Sequence, residues 1–136
     1  METTASYGAG IVVLERDGPV AVLRLARPQA RNALSRAMVA AIAEACVAIE
    51  TEGTARSVLL CAEGPVFCAG LDRGEPFPND MRLLEQDGFG DREALAHLRA
   101  PIIAAVQGAA IGGGWELALM ADLVLADTTA TFSLPE

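Results

Sequence analysis

The chain has 136 residues, of which 52% are hydrophobic, enough for one globular domain with a core and no reason to expect two. Its net charge of −8 and its 10 scattered Lys and Arg residues argue against a nucleic-acid partner, so any anionic ligand has to be met locally. No apolar run reaches the roughly 18 residues that cross a bilayer, and Met1 to Gly10 lacks a basic-then-apolar leader, which predicts a cytoplasmic protein without a membrane partner.

Ile11 to Glu15 and Val20 to Leu25 are short β-branched runs joined through Arg16-Asp17-Gly18-Pro19, and they read as an antiparallel pair. Pro28 ends the second run, and Asn32 or Ser35 can cap the helix that follows, in which Leu34, Met38, Ala41, Ile42, Ala45 and Ile49 keep helical spacing. Arg36, Glu44 and Glu50 occupy its other face, and Gly53 stops it. Ser57 to Ala62 then reads as a short buried strand that runs straight into Phe67-Cys-Ala-Gly-Leu-Asp72. Ligand chemistry commonly sits at such a C-terminal strand end.

Residues 73 to 92 are acidic and broken by Pro76, Pro78, Gly88 and Gly90, with Phe77, Met81, Leu83, Leu84 and Phe89 among them, which predicts a mobile segment containing a short helix. Asp91 can cap a helix through Leu98, and Pro101 opens a strand over Ile102 to Val106. A helix from the glycine triplet to about Met120 and a strand over Leu123 to Ala126 follow. The recurring unit is strand, strand, helix, which supports a layered α/β fold.

Two stretches carry the chemistry. Gly108-Ala-Ala-Ile-Gly-Gly-Gly-Trp-Glu-Leu117 opens a helix with three bare glycine amides, Gly112 to Gly114, and places Glu116 in its first turn. The first N–H groups of a helix lack internal partners and can point at a developing negative charge. Pro65-Val-Phe-Cys-Ala-Gly-Leu-Asp72 is a second small-residue turn. Other readings of individual residues are plainer. A first-turn glutamate is favoured by the helix dipole in any protein. His97 has no second metal ligand in a usual spacing and reads as a surface residue, and no metal site is expected. Asp72 and Asp122 default to capping or local pairing, and Trp115 to packing. Cys46, Cys61 and Cys68 read as reduced thiols in apolar surroundings, with no evident base beside Cys68. The glycine run lacks the Lys and Ser/Thr of a phosphate loop and the acidic residue of a dinucleotide fold.

Read together with Arg27-Pro-Gln-Ala-Arg-Asn-Ala-Leu34 and Ala100-Pro-Ile-Ile-Ala-Ala-Val-Gln-Gly108, the two stretches resemble the enoyl-CoA hydratase/isomerase family, the crotonases, over nearly the whole chain. The resemblance implies an α/β fold, a crotonase-like spiral of ββα units, with residues 1 to 136 forming the N-terminal portion of a single domain, truncated before the C-terminal helical part. It implies an oxyanion hole for a thioester carbonyl from the backbone N–H groups of Leu71 and Gly113, and two catalytic glutamates, Glu116 and the Glu136 of the final Pro-Glu pair. By the same resemblance Gln29, Ala30 and Arg31, together with Ala69, Gly70, Asp72, Arg73 and Gly112, line the groove for a CoA thioester, with Arg31 and Arg73 able to meet phosphates. Both glutamates together tilt the expected reaction towards hydration of an enoyl-CoA. Isomerisation, another acyl-CoA reaction or an inactive truncated relative are the alternatives. Coenzyme A enters as part of the substrate, no cofactor is implied, and family members assemble as homo-oligomers, trimers or paired trimers.

Overall fold

The computed structural model of the chain describes residues 2–74 and 94–135. Among these residues eight strands and two helices follow one another: β1 (Glu2–Tyr7), β2 (Val12–Asp17), β3 (Val20–Leu25), α1 (Arg36–Glu52), β4 (Ser57–Ala62), β5 (Ile102–Val106), β6 (Ala109–Ile111), α2 (Gly113–Leu119), β7 (Leu123–Ala126) and β8 (Thr131–Ser133). Single 3-10 turns lie at Pro28–Ala30 and Ala94–His97.

Seven of these elements answer to the expected ones. The hairpin forms with β3 over the expected residues and β2 running two residues past its apolar run, so that Asp17 pairs with Val20 and only Gly18 and Pro19 remain between β2 and β3. In α1 the capping choice falls on Ser35, whose Oγ accepts from the Met38 N–H at 3.0 Å, and Gly53 closes the helix in the left-handed region at φ 69°. Met38, Ala41, Ile42, Ala45 and Ile49 form its buried face, and each fully buried Ile or Met of this kind contributes about 1.5–3 kcal/mol of hydrophobic stabilisation. Alternation in β4 buries Val58, Leu60 and Ala62, and in β5 it buries Ile102, Ala104 and Val106.

Six strands make one sheet in the order β1-β2-β3-β4-β5-β7, antiparallel through β3 and parallel from there on. Each of the last two long strands is followed by a short one, β6 after β5 and β8 after β7, and the short strands pair in parallel with each other. Isolated bridges between Leu34 and Leu71 and between Cys68 and Ala110 extend this second line of pairing. The chain thus alternates between two strand layers with helices between turns, the strand-strand-helix repeat expected from the sequence.

Three strands differ from expectation. β1 forms at the edge of the sheet from a polar segment without an apolar run, held by antiparallel bonds to β2 and interrupted by a register shift between Thr3 and Ala5. β6 and β8 are three residues each, too short to show a period. The described part of the helix expected over 91–98 is the 3-10 turn at Ala94–His97. The segment expected as a mobile stretch with a short helix lies, from residue 75 through 93, outside the described residues, as does Glu136. None of the described helices is long and apolar enough to cross a membrane.

Candidate active site

The site grows from the exit of β4. Phe67 and Cys68, both 0% exposed, anchor the turn: the Phe67 N–H donates to Gln107 O at 3.0 Å and the Cys68 N–H to Ala109 O at 3.1 Å, while the Ile111 N–H donates back to Cys68 O at 3.1 Å. Two residues on, the chain changes partners. Leu34 donates its N–H to Gly70 O at 2.7 Å and accepts from the Asp72 N–H at 3.1 Å. Leu71 is therefore bracketed by two bonds to Leu34, and its own N–H donates no hydrogen bond among the described residues.

Gly70 explains how the second turn reaches this place. It adopts φ 94°, and a Cβ built on it would stand 2.7 Å from Ile111 O and 3.7 Å from the Gly113 nitrogen. Only a residue without a side chain lets the two backbones approach so closely. Gly114 serves the same end on the other strand of contact, because a Cβ there would collide with the carbonyl oxygen of Cys68. The residues expected to supply two amides, Leu71 and Gly113, are thus brought together.

Gly112 precedes α2 at φ 55°; its N–H donates to Ser133 O at 2.8 Å, and its carbonyl accepts from the Glu116 N–H at 3.0 Å. Gly113 is the first residue of the helix, and its N–H, like that of Leu71, has no hydrogen-bond acceptor among the described residues. Glu116 lies in the first turn of α2 and is exposed, with no ion pair among the described residues. Trp115 packs its ring on Phe132 of β8 with centroids 4.2 Å apart, which ties α2 to the strand that ends three residues before Glu136.

The loop at 27–34 meets the first turn through side chains as well as backbone. Asp72 accepts from Arg27 Nη1 and from the Gly74 N–H, each at 2.9 Å, so both carboxylate oxygens are engaged. The Gly74 amide, and after it the Arg27 guanidinium, holds the Asp72 carboxyl below its ordinary range. Arg31 O accepts the Ala69 N–H at 3.1 Å, which sets Arg31 beside the turn with its side chain exposed. Gln29 and Arg73 are exposed, and Ala30 and Ala69 half-buried. With Arg27 satisfied by Asp72, Arg31 and Arg73 are the nearby guanidinium groups without an ion pair among the described residues.

Cys68 donates its Sγ–H to Asn32 O at 3.1 Å, and burial pushes its pKa up to about 11 against the opposing pull of the Gly70 amide. It is a protonated packing thiol at neutral pH, in keeping with the absence of a base beside it in sequence. Asp122 pairs locally, accepting the Ile102 N–H on Oδ2 at 2.7 Å. No group of His, Cys, Asp and Glu among the described residues could hold a metal ion.

Sequence reasoning passed over Asn32 and Leu34 as organisers of this site. Asn32 does not cap α1; it is 0% exposed at φ 53° and bonds to three backbone groups. The available signal was chemical: Asn is one of the few residues besides glycine that tolerate the left-handed region.

Comparisons with known proteins bear on the family and the fold. The family model described as enoyl-CoA hydratase/isomerase matches residues 15–136. The protein named "Probable enoyl-CoA hydratase" in Rhizobium meliloti is 36% identical over 130 residues, spanning 92% of this chain and 49% of its own. Cyclohexa-1,5-dienecarbonyl-CoA hydratase of Thauera aromatica is 38% identical over 125 residues, 92% of this chain and 48% of its own. Among solved structures, enoyl-CoA hydratase subunit I of Geobacillus kaustophilus superposes with a TM-score of 0.83 at 41% identity, covering 93% of this chain and 49% of that one. The chain spans about half the length of these relatives. Its two-layered spiral is the crotonase fold, and the chain belongs to the enoyl-CoA hydratase/isomerase family.

Proposed function

We propose that this chain carries the oxyanion hole and the first catalytic glutamate of an enoyl-CoA hydratase, and that its substrate is an enoyl-CoA thioester. The observation that carries the reading is the approach of the two turns at Gly70, where a Cβ would stand 3.7 Å from the Gly113 nitrogen while the Leu71 and Gly113 amides donate to nothing among the described residues.

In this reading the thioester oxygen accepts from both amides. Water adds its oxygen to the β carbon, the C=C electron pair moves towards the carbonyl, and the resulting oxyanion is held by donors already in place, each worth about 3 kcal/mol in systems where one has been removed. Glu116 orients the water and takes its proton, and Glu136 is the expected second carboxylate that delivers a proton to the α carbon. Neither step calls for a metal or redox cofactor. The edge of exposed Gln29, Arg31 and Arg73 with half-buried Ala30, continued by Ala69, Gly70 and Asp72, is the proposed path of the CoA moiety, with Arg31 and Arg73 opposite its phosphates. A homo-oligomer in the cytoplasm completes the proposal.

The test is the loss of enoyl-thioester absorbance when the chain meets a short trans-2-enoyl-CoA, with Glu116→Ala assayed beside it. Hydration reduced at least about 100-fold in the variant, with CoA binding retained, is the expected result. Turnover that survives in Glu116→Ala would move the chemistry to double-bond isomerisation on the same amides. No turnover from a folded wild type that binds CoA would overturn the hydratase reading for this chain and favour an inactive relative.

A further inference from the structure

We infer that Asn32 is a positioning residue that sets the direction of the Leu71 N–H through Leu34, an inference that rests on the oxyanion role proposed above. Asn32 is one of only two buried polar residues among those described, and its hydrogen-bonding capacity is spent on backbone. Its Oδ1 accepts the Arg27 N–H at 2.8 Å, and its two Nδ2 hydrogens go to Glu63 O and Val66 O, each at 2.9 Å. Its own N–H donates to Arg27 O at 3.0 Å, and its carbonyl accepts the Cys68 thiol at 3.1 Å.

The side chain thus joins the start of the 27–34 loop to the residues that lead from β4 into the Phe67–Leu71 turn. Two residues later Leu34 grips that turn by its bonds to Gly70 and Asp72, on either side of Leu71. Leu34 also lies against Gly113: its Cδ1 is 3.0 Å from where a Cβ on that glycine would stand. A loop fixed at Asn32 therefore presents Leu34, and with it the bracket around Leu71, in one position. The left-handed φ of 53° at Asn32 separates backbone from side chain in the test, since glycine keeps the former and removes the latter. Aspartate keeps the size and the Oδ1 acceptor but turns an oxygen towards two carbonyl oxygens.

The experiment is amide hydrogen exchange on the 15N-labelled chain, comparing wild type with Asn32→Gly and Asn32→Asp, followed by infrared spectra of bound [1-13C]crotonyl-CoA. The expected result is exchange at Leu34 and Asp72 at least about ten-fold faster relative to the β3 and β4 strand amides, with the wild-type downshift of the thioester carbonyl band diminished. A general loss of stability would speed all of these amides together. Unchanged relative exchange at Leu34 and Asp72 in both folded variants overturns the inference. If neither variant folds, the wild type decides: Arg27, Leu34 and Asp72 should open as one unit with a common denaturant dependence, and three separate openings overturn it. A wild type with no carbonyl downshift sinks the oxyanion reading, while the exchange comparison still judges Asn32.

Discussion

The two ends of the six-stranded sheet are built differently. Through β2, β3 and β4 the inward side chains are sealed, with Val12, Ala21, Leu23 and Leu60 all 0% exposed beneath α1 and its neighbours. In β7, by contrast, the inward positions Val124 and Ala126 are half-buried and exposed, Leu123 and Leu125 on the opposite face are 62% and 61% exposed, and in the smaller sheet all three residues of β8 are exposed. The proposed site straddles the difference. Leu71 hangs from the sealed end through Leu34, whereas Gly113 and Glu116 belong to a short helix tied to β8 by the Gly112–Ser133 bond and the Trp115–Phe132 contact. One amide is thus held through the packed core beneath α1 and the other by a seven-residue helix tied to an exposed strand, which makes the second the more easily displaced.

The sharpest way to break this comparison is to cut one leucine from each end. Leu60→Ala should cost about 2–5 kcal/mol in urea unfolding, and Leu125→Ala no more than about 0.5 kcal/mol; equal losses would show Leu125 to be as well packed as Leu60.

A smaller effect tests the sealed end by pH. Burial raises the Cys68 thiol from 9.0 to about 11, so in that window the folded chain keeps a proton that the unfolded chain gives up. Stability from this residue is whole below about pH 9 and drains away as pH rises towards 11, by about 2 kcal/mol, and Cys68→Ala should flatten that alkaline limb in urea melts. The smallest effect is expected at the loop contact itself. The Asp72 carboxyl is held below its ordinary 3.8, so its contribution is present above that pH and lost as pH falls below it; Asp72→Asn should shallow the acid limb slightly and lower neutral stability by the same small amount.

Much of the architecture could be read in advance because burial leaves a period. The α1 face, the alternation in β4 and β5 and the stop at Gly53 all follow from where apolar side chains and glycine must stand. The two site turns were legible for a related reason, since backbones that touch at Gly70 and Gly114 exclude Cβ atoms and so force glycine into the sequence. β1 was not legible, because an edge strand is held by backbone bonds to β2 and needs no apolar pattern of its own. Asn32 was ambiguous because the residue types that cap helices are those that tolerate positive φ, and only the packed chain distinguishes the two uses. Glu136 was named from its motif, and the described residues stop one short of it.

The Trp115–Phe132 contact has a spectroscopic corollary. Trp115 is the chain's only tryptophan, and its ring rests on β8 rather than in the sealed half of the sheet. Intrinsic fluorescence therefore reports the docking of β8 on α2, while circular dichroism of the whole chain is weighted towards α1 and the long strands. Two light signals from one cuvette distinguish fraying beside Glu116 from collapse of the fold.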